Sequence, residues 1–170
     1  MLLNIKEKLL PLTLTFLVIL LDQVSKMIVV AMLPFARPVE VLGDFLRLTY
    51  VKNPAIAFSL GRDLPPGFRT IIFLVLPLSV LAILLYFFFA SLDFSRGQRW
   101  ILAAIMGGGV GNFLDRLFRS GGVVDFVDIK FYGIFGLERW PTFNIADSTV
   151  VVAGILLLLS YLIGSKEAEK

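Results

Sequence analysis

The sequence contains no cysteine and no histidine. Without cysteine, the chain has no disulfide, no thiol nucleophile, no thiolate metal site and no lipid attached to a cysteine of its own. Without histidine, the Ser-His-Asp and Cys-His catalytic classes are excluded, as is nearly every zinc site built from imidazole or thiolate. An enzyme of this composition has to transfer protons through carboxylate, lysine, tyrosine or water.

Charged residues are also scarce. They make up 17% of the 170 residues, whereas 58% are hydrophobic, and the mean hydropathy is +0.88. An ordinary soluble domain carries roughly 25% charged residues. The composition therefore predicts one integral membrane domain over residues 1–170. The net charge of +3 is small and spread along the chain, which predicts no nucleic-acid-binding surface.

Long apolar runs are present instead, and four of them approach the length of about 20 residues that crosses a bilayer. The first is too long for the apolar core of a signal peptide, and no small-x-small cleavage site follows it, so we expect it to remain as a helix. Pro77 is expected to kink the second. The last has to include Asn144–Ser148, because its uninterrupted apolar part is only about 15 residues long. The predicted spans are about 9–33, 69–90, 100–118 and 144–164.

Two shorter segments have the composition of strands. Phe45–Asn53 alternates in part and is rich in β-forming residues, and Val123–Ile129 shows a similar alternation. We therefore predict an all-α membrane protein of four transmembrane helices, with a small β element lying on the membrane surface.

Polar residues are concentrated between Asn112 and Ser148, a stretch that holds four aspartates. Four spans place both termini on the same side. The N-terminal leader, the 91–99 turn and the C-terminal tail hold six Lys or Arg in a short total length, which predicts cytoplasmic termini. The unusual polar residues then converge on the outer side of the membrane, namely Asp22, Lys26, Asn53, Asn112, Asp115, Arg116, Asp125, Asp128 and Asp147.

Several of these residues also have simple structural interpretations. Asp22 and Lys26 are spaced to pair on one helix face, and such a pair can serve helix packing alone. Asn53 is most simply a turn residue before Pro54. Asp115 can pair with Arg119 or cap backbone groups, although we expect the cluster of Asn112, Asp115 and Arg116 to support a site.

Two neighbouring aspartates have a specific chemistry. Carboxylates within hydrogen-bond reach do not easily both ionise, so one retains a proton while the other accepts one from water. Such a pair hydrolyses an amide without histidine, metal or covalent intermediate. Asp147 has an alternative role as the third residue of a helix capped by Asn144. Spacing alone does not choose Asp125 over Asp128 as its partner.

Five segments resemble those of lipoprotein signal peptidase, also called signal peptidase II, in the family's order and spacing. One departure is Ala55, where the family usually has glycine, beside Pro54. The resemblance covers nearly the whole chain, and the segments are Leu21–Lys26, Lys52–Ser59, Gly107–Arg116, Val123–Phe126 and Phe143–Ser148.

The resemblance implies that Asp125 and Asp147 are the catalytic pair and that Asp128 is not the second acid. It implies a prolipoprotein substrate whose cysteine carries diacylglycerol, cleavage on the amino side of that cysteine, and no metal or cofactor. Support or substrate-binding roles are implied for Asp22, Lys26, Asn53, Asn112, Asp115, Arg116, Asn144 and Ala146.

The resemblance also implies a setting. Family members lie in the bacterial cytoplasmic (inner) membrane, with a β cradle and active site on the outer face, in contact with membrane lipid, and globomycin blocks them. We expect this chain to act as a monomer. The alternatives from the residues alone are a small transporter or proton relay using Asp22, Lys26 and Asp115, and an assembly factor that packs through Gly107 and Gly111.

Overall fold

The computed structural model describes residues 5–54, 65, 67–68, 71–91 and 94–168. Four helical segments in it are long and apolar enough to cross a membrane, which confirms the predicted fold class. The loop that contains Ala55 lies outside the described residues. The helices are α1 (Ile5–Leu9), α2 (Leu12–Met32), α3 (Leu76–Ala90), α4 (Arg96–Phe118) and α5 (Ile145–Ala168).

The helix boundaries differ from the predicted ones where local chemistry extends a helix beyond its apolar run. The helix expected from residue 100 begins at Arg96, because Ser95 and Gln98 form a capping box. In that box the Gln98 N–H donates to Ser95 Oγ and the Ser95 N–H donates to Gln98 Oε1. The first span likewise begins before residue 9, because α1 precedes α2 across a turn at Pro11.

The irregularity predicted at Pro77 lies just before that residue. Ile71–Val75 forms a π-helical stretch, and α3 follows it directly. Pro77 occupies the first turn of α3, where its missing N–H removes no α-helical hydrogen bond.

A three-stranded antiparallel sheet accompanies the helices, in the order β1 (Val39–Leu42), β2 (Leu46–Asn53) and β3 (Val123–Ile129). Both predicted strands are therefore confirmed, and β1 is an additional strand whose four residues are all exposed. The β2–β3 register pairs Asn53 with Val123. This pairing brings the end of β2 beside the polar stretch that follows α4.

Helix α4 lies between α2 and α5, and its glycines permit close contact on both sides. A Cβ at Gly107 would meet Val18 Cβ of α2 at 2.8 Å, and one at Gly108 would meet the Ala146 carbonyl oxygen of α5 at 2.6 Å. The sheet is fixed to the bundle by a cluster of Val29 from α2 with Val124 and Phe126 from β3. The end of α2, the end of α4 and the start of α5 consequently meet under β3.

Candidate active site

A buried ion cluster of Asp22, Lys26, Asp115 and Arg119 joins α2 to α4. Lys26 Nζ lies 2.8 Å from Asp22 Oδ2 and 2.9 Å from Asp115 Oδ2, and all three side chains are fully buried. Arg119 Nε contacts the other Asp115 oxygen at 2.9 Å. The predicted Asp22–Lys26 pair is present, and both interpretations of Asp115 hold, because its carboxylate also accepts the Val124 N–H.

Two asparagines connect this ion cluster to Asp125 and Asp147. Asn112 Oδ1 accepts from Lys26 Nζ at 2.9 Å and from Asn144 Nδ2 at 3.0 Å. Asn112 Nδ2 donates to Asp147 Oδ1 at 2.7 Å, and Asn144 Nδ2 donates to Asp125 Oδ1 at 2.8 Å. An unbroken chain of hydrogen bonds therefore runs from a buried ammonium group to both carboxyl groups.

Asp125 lies on β3 and is only 2% exposed. Its Oδ2 accepts from Asn53 Nδ2 at 3.0 Å, so the simple assignment of Asn53 as a turn residue is wrong. Burial, together with the neighbouring Asp147 carboxyl, raises the pKa of Asp125 to about 7 despite the opposing effect of both asparagine donors. Asp125 therefore gains or loses its proton near neutral pH.

Asp147 lies in the first turn of α5, as the apolar length of that span predicted. Its backbone N–H donates to Asn144 Oδ1 at 2.9 Å, and its Oδ2 accepts from the Asn144 N–H at 3.1 Å. This reciprocal capping arrangement places the carboxylate at the positive end of the helix dipole. The capping role and a place beside Asp125 coexist, because the two Asp147 oxygens accept from different donors.

Both carboxyl groups line one cavity of about 610 Å³. Asn53, Asn112 and Arg116 line it with them, and Arg116 acts electrostatically on both Asp125 and Asp147. The remaining wall is largely apolar, and three parts of the chain contribute to it beside residues of α4 and β3. These are α3 through Leu76, Val80 and Leu84, α5 through Val150 and Val151, and the segment Trp140–Phe143.

Asp128 is held apart from this cavity. Residues 125 and 128 are separated by an odd number of positions along β3, so their side chains point to opposite faces. Asp128 accepts from Arg47 Nη2 at 2.8 Å and from Arg139 Nε, and it does not line the cavity. The structure thus distinguishes the two aspartates that spacing left equivalent.

Ala146 and Gln23 complete the surroundings of the ion cluster. The Ala146 N–H donates to Asp22 Oδ1 at 3.1 Å, so that a carboxylate of α2 caps the start of α5. Gln23, which sequence reasoning missed, donates to Asp22, Asp115 and the Gly111 carbonyl. Its position next to Asp22 in an apolar run was the available signal. The cavity wall at Trp140–Phe143 was also missed, because nothing in its composition marks it.

The family model described as signal peptidase (SPase) II matches residues 14–163. Lipoprotein signal peptidase of Treponema pallidum is 44% identical over 95% of this chain and 88% of its own length. The protein of that name from Treponema denticola is 44% identical over 98% of this chain and 96% of its own.

Two solved structures share the fold. A bacterial membrane enzyme determined by the in meso method at 2.3 Å resolution has a TM-score of 0.77 and 27% identity, covering 94% of this chain and 91% of its own. A second, at 1.9 Å resolution, has a TM-score of 0.75 and 30% identity, covering 89% and 92%.

These similarities extend over almost all of both partners, so they bear on the activity as well as on the fold. A transporter and a non-catalytic assembly factor, the two alternatives from the residues alone, do not fit a chain with these relatives. The chain belongs to the signal peptidase II family of aspartic endopeptidases, which are multi-pass proteins of bacterial membranes.

Proposed function

We propose that Asp125 and Asp147 are the catalytic pair with which this peptidase removes the signal peptide of a diacylglyceryl-modified prolipoprotein, cutting on the amino side of the lipidated cysteine. The observation that carries the proposal is that these two carboxyl groups, from β3 and α5, line one cavity and are linked through Asn144. Asn53, Asn112, Arg116, Asn144 and Ala146 position the pair or the substrate, and Asp22, Lys26 and Asp115 support them.

The reaction needs one ionised and one protonated carboxyl group. The ionised group removes a proton from water as the water oxygen bonds to the scissile carbonyl carbon. The protonated group gives its proton to the carbonyl oxygen, which yields a neutral diol. When the diol collapses, the C–N bond breaks and the leaving nitrogen takes the proton that the first carboxyl group removed from water. The other carboxylate takes back a proton from a diol hydroxyl as the C=O bond forms again, so that both carboxyl groups return to their first state. A pKa of about 7 for Asp125 suits a group that exchanges protons in this way.

The apolar wall suits the substrate. Signal peptides and acyl chains are hydrophobic, and α3 and α5 line the cavity with aliphatic side chains. We infer that the signal helix and the diacylglyceryl chains lie against these walls while the peptide bond reaches the polar end. Arg116 and the asparagine amides provide donors for the peptide carbonyl groups there.

The cellular arrangement follows the same proposal. Residues 1–170 form one domain in the cytoplasmic membrane, with both termini in the cytoplasm and the cavity on the outer face. The enzyme works as a monomer in contact with membrane lipid and without a cofactor. Globomycin, a cyclic peptide, is expected to compete with the substrate for the cavity.

The test is cleavage of a diacylglyceryl-modified prolipoprotein by the purified protein in detergent, with and without a chelator. Asp125→Asn and Asp147→Asn should each remove activity, by a factor of about 10³ or more, because each leaves only one proton-transfer group. Asp128→Asn is the matched control, since it alters another buried aspartate of the same strand outside the cavity. We expect folded Asp128→Asn protein to cleave at a rate within a few-fold of the wild type.

Two results would contradict the proposal. Full activity in either the Asp125 or the Asp147 variant would break the pair, and loss of activity on chelation would require a different chemistry. Thermal unfolding with and without globomycin would extend the test to binding. The compound should raise the Tm of the wild type but not that of the inactive variants.

A further inference from the structure

Each carboxyl group of the pair faces a side-chain amide, and an amide can present either its oxygen or its nitrogen. Which end faces the carboxyl group matters, since a carboxylate accepts hydrogen bonds only from the nitrogen. Asn144 is held in one orientation by the backbone, because its Oδ1 accepts the Asp147 N–H at 2.9 Å. Its Nδ2 is thereby directed to Asp125.

Among the described residues, no backbone N–H donates to Asn112 Oδ1, and the orientation of this amide depends on Lys26. The ammonium group of Lys26 has three donors and no acceptor, so it requires an oxygen where Asn112 Oδ1 lies, 2.9 Å away. Asn144 Nδ2 also approaches that oxygen, but it has two hydrogens for three acceptors. It lies 2.8 Å from Asp125 Oδ1, 3.0 Å from Asn112 Oδ1 and 3.3 Å from the Val124 carbonyl.

We propose that Lys26 is a positioning residue of the reaction, which fixes Asn112 with its Nδ2 towards Asp147 and so keeps Asp147 as the ionised member of the pair, leaving the proton on Asp125. This inference rests on the proposed function. With the amide reversed, Asn112 Oδ1 would face Asp147 Oδ1, and the contact would be favourable only if Asp147 carried the proton.

Lys26 acts on Asp147 through this hydrogen bond. Its charge also lowers the pKa of Asp125, but this effect is smaller than those of burial, of Asp147 and of the two asparagine donors. Its ammonium is balanced within the ion cluster, in which Asp22 and Asp115 carry two negative charges and Lys26 and Arg119 two positive ones. The long-range field of the neutral cluster is weak. Arg116, on α4, is a further charge that faces the pair, and it acts on both carboxyl groups. The nearest part of β2 contributes only the neutral Asn53.

Two further features agree with a proton on Asp125. Asp147 is at the N-terminal end of α5, where the helix dipole stabilises a negative charge, whereas Asp125 is on a strand. Burial and the Asp147 charge also raise the pKa of Asp125 to about 7. The proton donor to the scissile carbonyl is then Asp125, and the base that activates water is Asp147.

The test variant is Asp22→Asn combined with Lys26→Met, compared with the wild type and with Asp22→Asn alone. The double change removes one positive and one negative charge, so the buried cluster stays neutral as in the wild type, and an asparagine oxygen at position 22 can still accept the Ala146 N–H. The wild type is therefore the charge-matched reference for the loss of the ammonium donor to Asn112, and Asp22→Asn alone reports the effect of the change at position 22.

We expect kcat of the double variant to fall about tenfold to a hundredfold below that of the wild type, the usual range for losing a hydrogen bond to a charged group, and to lie below that of Asp22→Asn as well. The acidic limb of its pH profile should move upwards, because a reversed Asn112 amide no longer donates to a negatively charged Asp147. KM should stay within a few-fold, and Lys26→Arg, which retains donors, should keep the wild-type pH profile. An unshifted profile with kcat equal to that of the Asp22→Asn protein would overturn the proposal.

A measurement on the wild type covers the case in which the double variant does not fold. Infrared difference spectra in D₂O, taken during a titration through neutral pH, report the C=O stretch of a protonated carboxyl group. We expect a band that disappears in Asp125→Asn. A band that disappears in Asp147→Asn and persists in Asp125→Asn would refute the assignment. Failure of the wild type to cleave at all would instead refute the proposed function, so the two outcomes are distinguishable.

Discussion

Asp125 is the residue at which function and stability oppose each other. Its pKa in the folded protein is raised to about 7, mainly by burial, whereas a carboxyl group in an unfolded chain ionises near the ordinary value of 3.8. Between these two pH values the unfolded chain releases the proton that the folded chain retains. The contribution of Asp125 to stability therefore falls as the pH rises through this window.

Asp125→Asn should abolish this fall in stability with rising pH, because an asparagine stays neutral at every pH. We expect the Tm of the variant relative to the wild type to rise from about pH 4 to about pH 7 and then to level off. Thermal unfolding of the purified protein in detergent at several pH values measures it. A difference in Tm that is independent of pH would show that Asp125 ionises normally in the folded protein.

Asp44 serves as a control, because its contribution to stability should change with pH in the opposite direction. A hydrogen bond from Lys130 lowers the pKa of this exposed carboxyl group. Its stabilising effect is present above the ordinary pKa and is lost as the pH falls. Asp44→Asn should therefore lower Tm slightly at neutral pH and leave it unchanged in acid.

For individual residues, the sequence alone predicted which residue types form the site, but not all of their contacts. Asp125 and Asp128 occupy opposite faces of one strand, because side chains alternate along a strand and the two residues are three positions apart. Only the tertiary arrangement decides which face meets the cavity. Asn53 precedes a proline, so local sequence favoured a turn. Its contact with Asp125 depends on the pairing of β2 with β3, which joins residues 72 positions apart.

Helix α4 is the element on which the rest of the structure is assembled, and its glycines face α2, α3 and α5. A Cβ at Gly108 would approach the Ala146 carbonyl oxygen at 2.6 Å, a backbone atom in the first turn of α5. The turn that carries Asp147 would have to move. Gly154, in α5, has open space around it and serves as the matched control.

Gly108→Ala should destabilise the protein by about 1–3 kcal/mol, as expected for an extra methyl group in a closely packed contact. Its kcat should also fall, because Asp147 would be displaced from Asn112. Gly154→Ala should leave activity unchanged and Tm equal or slightly higher. Thermal unfolding and cleavage rates of the two variants measure this, and equal behaviour of both would contradict the close contact.

The sheet is stabilised by Asp128 at the end remote from the bundle. Asp128 accepts hydrogen bonds from Arg47 of β2 and from Arg139, which lies next to the cavity wall at Trp140. Asp128→Asn removes the charge from a nearly buried site that faces two arginines. We expect a loss of stability of about 1–3 kcal/mol, measured by thermal unfolding. A variant as stable as the wild type would show that the arginines are satisfied by Asp44 alone.

The elements themselves were predictable to different degrees for physical reasons. The membrane spans can be predicted from length and hydropathy. The hydrocarbon core offers no hydrogen-bond partner for a backbone N–H, so a long apolar run within it forms a helix. Their ends depend on local caps such as Ser95 with Gln98, which shifted the start of α4 by four residues. Strand β1 is short and exposed on all four residues, so no apolar alternation marks it.

The orientation of the whole molecule in the membrane is testable, because the chain has no cysteine of its own. The end of the bundle that carries the sheet should face outwards, and the opposite end, with the basic turn before α4, should face the cytoplasm. Glu138 and Arg96 have side chains that are 72% exposed and lie at these two ends.

Glu138→Cys in whole cells should react with a membrane-impermeant maleimide, because it should lie outside the cytoplasmic membrane. Arg96→Cys should react only after that membrane is permeabilised. In cells with an outer membrane, the reagent has first to be admitted through that barrier. Activity of both variants confirms that the labelled protein is the folded enzyme. Labelling of Arg96→Cys but not of Glu138→Cys in intact cells would reverse the topology. The proposed catalytic pair would then face the cytoplasm, where it could not meet a cleavage site that has already crossed the membrane.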